Sequence, residues 1–204
     1  MTTATSFPAW ATPATASSAR SKPVQPVYET RRLRLMPAGP ELAGAAADYY
    51  RRNRTFLAAF EPAREESFFT QEGQRSLLTE EARLAEEDRS YRFYLALREA
   101  PERIVGLVGL NNLVRGAFQS CFLGYKLDGG LLRRGYMTEA VEEAVRIAFT
   151  VLGLHRIEAN IMPRNTASLG VARKAGFQEE GLAVRYLRIN GVWEDHIHMV
   201  RRDE

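Results

Sequence analysis

Apolar residues recur at helical spacing in four segments of the chain. The clearest is LLRRGYMTEAVEEAVRIAF, residues 131–149, whose apolar stripe predicts an amphipathic helix over Gly135–Phe149. The same reasoning predicts helices over the alanine-rich Glu41–Arg51 and the charged Gln71–Asp88. A fourth helix is predicted over Thr166–Ala175, because the glycine that follows it is a favoured helix terminus.

Short segments with alternating or continuous apolar residues predict seven strands. Asn190-Gly191 favours a tight turn, so the last two strands are expected to form a hairpin. Residues 53–67, interrupted by Pro62, predict a loop or a short helix. This order of elements favours an α/β (α+β mixed) fold with one central mixed, mostly antiparallel sheet of about seven strands flanked by helices. The predicted strands are Glu29–Pro37, Arg92–Leu97, Ile104–Leu113, Cys121–Leu127, His155–Met162, Tyr186–Ile189 and Val192–Val200.

The first 27 residues differ from the rest of the chain. They are rich in Ala, Thr, Ser and Pro and lack apolar periodicity, which predicts a disordered arm before a single domain over residues 28–204. Because no acidic residue precedes Glu29, a transit peptide remains an alternative for this arm. No apolar run is long enough to span a bilayer, so we expect neither a membrane protein nor a membrane partner.

Charge and cysteine content narrow the possible partners. The chain has 28 basic residues, and all but Lys22, Lys126 and Lys174 are arginines, which suit phosphate and carboxylate groups. A net charge of +3 is too small to predict nucleic-acid readout. The single cysteine, Cys121, excludes an internal disulfide and fits a cytoplasmic location.

The segment before the third helix indicates a phosphate site. Gly135 leads directly into the helix, whose first N–H groups have no intrahelical partner, and Arg133 and Arg134 add positive charge. A second turn and helix, MPRNTASLGVARKAGF, begins with Asn165 and Ser168. Together the two units predict an enzyme that binds a nucleotide-like cofactor through its diphosphate.

Four segments in the same order resemble the GNAT superfamily of N-acetyltransferases, and more closely its RimJ/RimL branch. They are DYYRRNRTFLAAFEPAREES, NNLVRGAFQSCFLGYKL, HRIEANIMPRNTASLGVARKAGFQEEG and NGVWEDH, and the resemblance extends over Tyr28–Arg201. It implies the GNAT fold and acetyl-CoA as cosubstrate without a metal. It also implies direct transfer of acetyl to a protein N-terminal α-amine, on Ala- or Ser-starting ribosomal proteins.

The resemblance also implies where acetyl-CoA binds. The family's diphosphate turn has the pattern Gln/Arg-x-x-Gly-x-Gly/Ala. Here Gly135 takes the first glycine position, Met137 takes the second small position, and Leu132 departs from the pattern. Backbone N–H groups bind most of the diphosphate, so the departure is expected to matter little. The cofactor-binding residues implied are Tyr125, Lys126, Leu127, Arg133, Arg134, Gly135, Tyr136, Met137, Thr138, Asn165 and Arg173.

For the catalytic groups, the resemblance is incomplete. Many members have a Tyr acid where this chain has Ala172, so Ser168 is the candidate acid for the leaving thiolate. Asn165 would bind the pantetheine arm, although both residues also suit a helix start. The acetyl carbonyl would face backbone N–H groups of Leu123–Leu127.

RimL-type enzymes have a Glu base where this chain has Leu187, so another base is needed. Glu61 is the first candidate, and its carboxylate would alternatively recognise the incoming ammonium group. Glu65, Glu66 and Asp195 follow, and each is equally well explained as a solvated carboxylate.

Other reactive residues have simpler interpretations. His196 and His198 share one face of a strand, where they line the cleft or pack in the core, since two ligands are too few for zinc. Cys121 is interpreted as a small buried hydrophobe. Among the aromatic residues, Phe60 and Trp193 are the candidates to shape the acceptor slot.

Two alternatives to N-terminal protein acetylation remain. One is acetylation of a small-molecule amine such as an antibiotic or an aminoacyl-nucleotide, and the other is a catalytically silent, CoA-binding regulatory module. The sequence leaves monomer and homodimer equally open.

Overall fold

A computed structural model describes residues 25–204. Residues 1–24, most of the predicted arm, lie outside the described residues. The strands are β1 (Tyr28–Glu29), β2 (Leu33–Pro37), β3 (Tyr91–Leu97), β4 (Ala100–Val114), β5 (Ser120–Leu127), β6 (Arg156–Ile161), β7 (Gln178–Ile189) and β8 (Val192–Arg202). The α-helices are α1 (Ala43–Leu57), α2 (Gln71–Glu86), α3 (Tyr136–Arg146) and α4 (Thr166–Lys174), and short 3-10 turns lie at Pro40–Leu42, Glu66–Phe69 and Gly129–Leu131.

The eight strands form one sheet in the order β1-β2-β3-β4-β5-β6-β8-β7. All neighbours pair antiparallel except β5 and β6, which pair parallel. The mixed, mostly antiparallel sheet is therefore confirmed, with eight strands rather than about seven. The extra strand arises because the predicted Glu29–Pro37 strand is interrupted at residues 30–32, where Thr30 and Arg32 bind Glu139 of α3 instead of a neighbouring strand.

Helices α2 and α4 end within two residues of their predicted ends, whereas α1 and α3 differ more from their predicted bounds. Helix α1 continues past Arg51 because Asn53 and Leu57 extend its buried stripe at a spacing of four residues, so the predicted loop there begins only at Ala58. Helix α3 ends at Arg146, and its last turn widens into a π-helical segment over Ile147–Val151.

Strand β7 begins at Gln178, eight residues before the predicted start at Tyr186. It lies on the sheet edge, is exposed over most of its length and contains two register shifts against β8, between Glu179 and Gly181 and between Ala183 and Leu187, so it has no regular apolar alternation. The predicted hairpin itself is confirmed, since Ile189 pairs with Val192 across Asn190-Gly191.

Hydrophobic cores form on both faces of the sheet. Helices α3 and α4 cover one face, where Val141 and Leu169 pack with Val108 and Ile157. Helices α1 and α2 cover part of the other face around Tyr49, Leu78 and Tyr94. No helix within residues 25–204 is long and apolar enough to cross a membrane.

The sheet opens between its two parallel strands. Strands β5 and β6 pair only from Ser120 to Phe122 and from Arg156 to Glu158, although they continue to Leu127 and Ile161. Strand β5 stays paired with β4 as far as Leu127, so only its other edge is free. The result is a wedge-shaped opening whose walls are strand edges with unused backbone groups.

Candidate active site

The opening between β5 and β6 has two differently lined sides. Leu123 packs in the core beneath α3 and α4, and Tyr125 lies against the same core, whereas Gly124 and Lys126 alternate to the opposite face. The Tyr125 hydroxyl donates a hydrogen bond of 2.8 Å to the Ser168 carbonyl, joining β5 to the first turn of α4. Burial raises the pKa of Tyr125, so its phenol stays protonated near neutral pH.

The turn before α3 presents backbone N–H groups. Arg133 and Gly135 both have left-handed backbone angles, with φ of 61° and 77°, and no side chain caps the helix at Gly135. The Met137 side chain is buried in the core, so this residue offers a ligand its backbone rather than its side chain. Arg133 and Arg134 are exposed, as the sequence suggests for groups that meet a diphosphate.

Arg32 and Glu139 fix this turn in place. The Arg32 backbone N–H and Nε donate to the two Glu139 carboxylate oxygens at 2.8 and 2.7 Å, and the Thr30 hydroxyl donates at 2.6 Å. Arg32 Nη1 also donates to the Arg134 carbonyl at 2.9 Å, and its guanidinium lies 4.4 Å from the Tyr136 ring centre. Burial raises the pKa of Glu139, but the hydrogen bonds from Thr30 and Arg32 outweigh it and the pKa is lowered.

A shallow groove of about 390 Å³ lies beside the helix start. Arg31 and Lys174 contribute cationic side chains to its lining, next to Gly135 and Thr138. Arg173, by contrast, is exposed on α4 and lies 3.8 Å from Glu179.

The first turn of α4 combines a helix cap with a hydroxyl that lies beside Tyr125. Asn165 Oδ1 accepts a hydrogen bond of 3.2 Å from the Ser168 N–H, which is the helix cap that its residue type favours. Ser168 is half-buried, and its hydroxyl forms a side-chain hydrogen bond with the Tyr125 phenol.

Glu61 lies at the end of β5, as the candidate base requires. Its carboxylate is 2.6 Å from Lys126 Nζ, which also lies over the Tyr50 ring. The segment that carries it is held from the opposite wall, because Arg164 donates to the Ala59 carbonyl at 3.2 Å.

The other candidate carboxylates lie elsewhere. Glu65 and Glu66 are exposed, and Glu66 pairs with Arg54. Asp195 accepts a hydrogen bond of 2.8 Å from the Arg185 N–H, which holds the irregular part of β7.

The two histidines of β8 share one face, as their spacing predicts. His198 Nδ1 lies 3.0 Å from Glu158 on β6, and His196 Nδ1 lies 3.0 Å from the Glu194 carbonyl oxygen. Trp193 alternates to the other face of the strand and is exposed. Within the described ranges no three metal-ligating side chains come together.

Cys121 is buried, in agreement with its interpretation as a small hydrophobe. Burial raises the pKa of its thiol to about 12. A protonated, enclosed thiol is a poor nucleophile.

Comparison with known proteins identifies the fold. The sequence profile described as "Acetyltransferase (GNAT) domain" matches residues 32–178. The chain belongs to the GNAT acetyltransferase family. As a GNAT enzyme it is an N-acetyltransferase.

Individual relatives agree with this assignment. The GNAT chain is 46% identical over 71% of its length to Probable N-acetyltransferase YjcK of Bacillus subtilis, covering 79% of that protein. It is 38% identical over 74% of its length to the [Ribosomal protein uS5]-alanine N-acetyltransferase of Escherichia coli, covering 77% of it. The structure of Mycobacterium smegmatis RimJ in complex with CoA-disulfide matches with a TM-score of 0.78 and 28% identity, covering 83% of this chain and 81% of that one.

Sequence reasoning missed several polar side chains of this GNAT site. Glu158, Asn160 and Tyr186 surround His198, and Arg164 contacts the Glu61 segment. The sequence signal available was the alternation along β6, which places Glu158 and Asn160 on the face away from α4.

Proposed function

We propose that this GNAT enzyme transfers acetyl from acetyl-CoA to the N-terminal α-amine of a protein, with an alanine-starting ribosomal protein as acceptor in the cytoplasm. The observation that carries the proposal is the free edge of β5 over Leu123–Leu127, which faces the opening beside the uncapped start of α3. The uS5-alanine N-acetyltransferase of E. coli, at 38% identity, supports the acceptor class.

Acetyl-CoA fits the opening by its chemistry. The N–H groups of Gly135, Tyr136, Met137 and Thr138 would hold the diphosphate, with Arg133 and Arg134 adding charge, because a helix start binds anions. The pantetheine arm would then follow the opening, beside the Asn165 cap and between Tyr125 and the free edge of β5. The bound CoA in the RimJ relative supports this cofactor class.

The free N–H groups of β5 suit the acetyl carbonyl. Attack by an amine places negative charge on the carbonyl oxygen, and a fixed N–H donor lowers that barrier by about 3 kcal/mol in comparable sites. The Ser168 hydroxyl, at the first turn of α4 beside Tyr125, would donate a proton to the leaving thiolate.

The choice of an α-amine follows from proton affinity. An α-amine has a pKa of about 7.7–8.0 and a lysine amine of about 10.4, so far more of the α-amine is neutral at physiological pH. Glu61 would attract the incoming ammonium group at the mouth. Its 2.6 Å contact with Lys126 suits it to hold position rather than to take a proton.

Released CoA measures this activity directly. The purified full chain would receive acetyl-CoA with peptides that begin with Ala or Ser, the same peptides with a blocked N-terminus, and small primary amines. We expect turnover with the free Ala peptide and none with its blocked form.

Each alternative outcome has its own meaning. Faster turnover with small amines would replace the proposed acceptor class. Tight acetyl-CoA binding in calorimetry with no CoA release from any acceptor would indicate a silent binding module. Failure to bind acetyl-CoA at all would overturn the cofactor proposal.

A further inference from the structure

A polar cluster lies on the face of the sheet that α3 and α4 leave uncovered. Asn160 of β6 stands directly opposite His198 of β8 in the strand register, and Tyr186 of β7 packs on the His198 ring at 5.2 Å. Glu158 contacts His198 Nδ1 at 3.0 Å, and Arg156 contacts the other Glu158 oxygen at 3.2 Å. Asn160 is on the wall of the opening just past the point where β6 leaves β5.

Two atoms of this cluster have no hydrogen-bond partner. Asn160 Oδ1 and His198 Nε2 are both buried and unpaired within the described part of the chain. Leaving a buried polar atom unpaired costs about 1–3 kcal/mol, so such atoms need an explanation. Both atoms belong to one face of neighbouring strands, so a single small ligand is able to satisfy both.

The remaining contacts of each side chain fix its chemical role. Asn160 Nδ2 donates to the Tyr186 hydroxyl at 3.3 Å, which leaves Oδ1 as a hydrogen-bond acceptor. A proton on His198 Nδ1, donated to Glu158, leaves a lone pair on Nε2. The site therefore offers two unpaired acceptors beside the Tyr186 hydroxyl, and a primary amine or ammonium group provides complementary donors for both acceptors.

Asn160 and His198 are direct register partners on neighbouring strands, so their side chains start from adjacent positions on one face of the sheet.

We propose that Asn160 and His198 form the acceptor-amine site, in which Asn160 orients the amine and His198 takes its proton. This inference rests on the proposed acetyl transfer. Tyr186 covers the site before the acceptor enters. It lies on an irregular part of the edge strand, where the register shifts between Ala183 and Leu187 and Arg185 has a φ of 52°. Such a segment moves at low cost because it pairs with one neighbour only.

The proton step balances. The neutral amine attacks the thioester carbonyl carbon, a C–N bond forms, and the nitrogen of the adduct loses a proton to His198 Nε2. The C–S bond then breaks, and the thiolate receives a proton from the Ser168 hydroxyl or water. The imidazolium is stabilised by Glu158 until solvent removes its proton. Tyr186 and His196 lie beside it on this face, Asn160 is its register partner on β6, and Arg156, which contacts Glu158, also pairs with Glu180.

Histidine substitutions test the site in steady-state kinetics with acetyl-CoA and the free Ala peptide. We expect His198→Gln to lower kcat by about 100-fold, the lower end of general-base effects, and to remove the corresponding limb of the pH–rate profile. The dissociation constant for acetyl-CoA should not change. His155→Gln, at an exposed histidine outside the cluster, is the matched control and should retain wild-type rates.

Asn160→Leu separates orientation from proton transfer. It should raise the KM for the peptide and lower kcat while leaving the pH profile in place. A purely structural role for Asn160 would instead lower thermal stability, and the pH–rate profiles of Asn160→Leu and His198→Gln would then not differ. If His198→Gln keeps a rate within threefold of wild type and the same pH profile, the inference is wrong while the proposed acetyl transfer stands.

Nitrogen-15 NMR of the histidine rings gives a readout independent of turnover. The proposal requires His198 to carry its proton on Nδ1, and addition of the free peptide should shift the Nε2 signal, whereas the blocked peptide should not. A proton on Nε2 in the free protein, or no response to the free peptide, would overturn the inference even if no acceptor supports CoA release.

Discussion

The carboxylate of Glu139 determines whether the turn before α3 is formed in advance of its ligand. Three donors converge on it: the Thr30 hydroxyl at 2.6 Å, the Arg32 N–H at 2.8 Å and Arg32 Nε at 2.7 Å. The side chain is only 15% exposed, so solvent screens these contacts little. We therefore expect Glu139→Gln to loosen both the fold and the site.

The magnitude follows from the lost contacts. A glutamine keeps one acceptor oxygen for Thr30 and the Arg32 N–H, but its NH₂ group faces Arg32 Nε and loses one charge-assisted hydrogen bond. Hydrogen bonds to charged groups contribute about 1.5–3 kcal/mol, so the free energy of unfolding should fall by about 2 kcal/mol. For a domain of this size, that corresponds to a decrease in Tm of roughly 4–8 °C.

The pKa of Glu139 determines in which direction the stability difference between wild type and Glu139→Gln changes with pH. The pKa of Glu139 is lowered in the folded protein, so its stabilising contribution is present above the pKa of the unfolded carboxyl. That contribution is lost as the pH falls through the lower, folded value. The gap in unfolding free energy between wild type and Glu139→Gln should therefore be full at neutral pH and shrink in acid.

Urea unfolding across this pH range, with calorimetric titration of acetyl-CoA, makes both measurements. We expect acetyl-CoA to bind Glu139→Gln about tenfold more weakly, equivalent to about 1.4 kcal/mol. The control is Glu142→Gln, an exposed carboxylate on the same helix that lines the same groove. Equal stability of Glu139→Gln and wild type at neutral pH, or a gap that widens in acid, would refute the reasoning.

Three further outcomes follow from single contacts. Tyr125→Phe removes the 2.8 Å bond to the Ser168 carbonyl and should cost about 1 kcal/mol in urea unfolding, with a higher KM for acetyl-CoA. Cys121 should resist thiol reagents in the native protein at pH 8 and react once unfolded, because burial raises its pKa to about 12; rapid native labelling would contradict this. Arg52→Leu removes a 2.9 Å contact to buried Asp128 and should cost about 3 kcal/mol at neutral pH. Burial raises the pKa of Asp128, but hydrogen bonds from Gly130, Arg52 and Asn53 lower it overall. Its stabilisation therefore disappears as the pH falls through the folded value, and the Arg52→Leu difference should narrow in acid.

Local patterns were sufficient for the elements that bury one face. The α3 helix follows from its apolar stripe, and the β7–β8 turn follows from the chemistry of Asn190-Gly191. The first half of β7 gave no such signal, since it lies at the sheet edge and is held by backbone pairing to β8 rather than by buried side chains. A strand of that kind is specified by the strand it pairs with, and a local sequence pattern carries no information about that partner.

The same difference between local and long-range signals applies to the candidate site. The turn proposed to bind the diphosphate was predictable because its groups are adjacent in sequence, around Gly135. The contacts that shape it were not, since Arg32 and Glu139 are 107 residues apart and meet only when β2 and α3 pack together. The Glu158–His198 pair also depends on strand register, which sequence alternation leaves open.

The opening in the sheet explains why these polar groups lie where they do. A fully paired β5–β6 ladder would use the backbone N–H groups that acyl transfer needs, so the two strands must separate after Phe122 and Glu158. Separation removes ladder hydrogen bonds, and contacts outside the ladder hold the walls in place: Tyr125 to Ser168 on one side of the sheet and Lys126 to Glu61 on the other. We expect these contacts to restrict how far the walls move before any ligand enters. Substitutions in the wall contacts should therefore alter acetyl-CoA binding even when the substituted side chain never touches the cofactor.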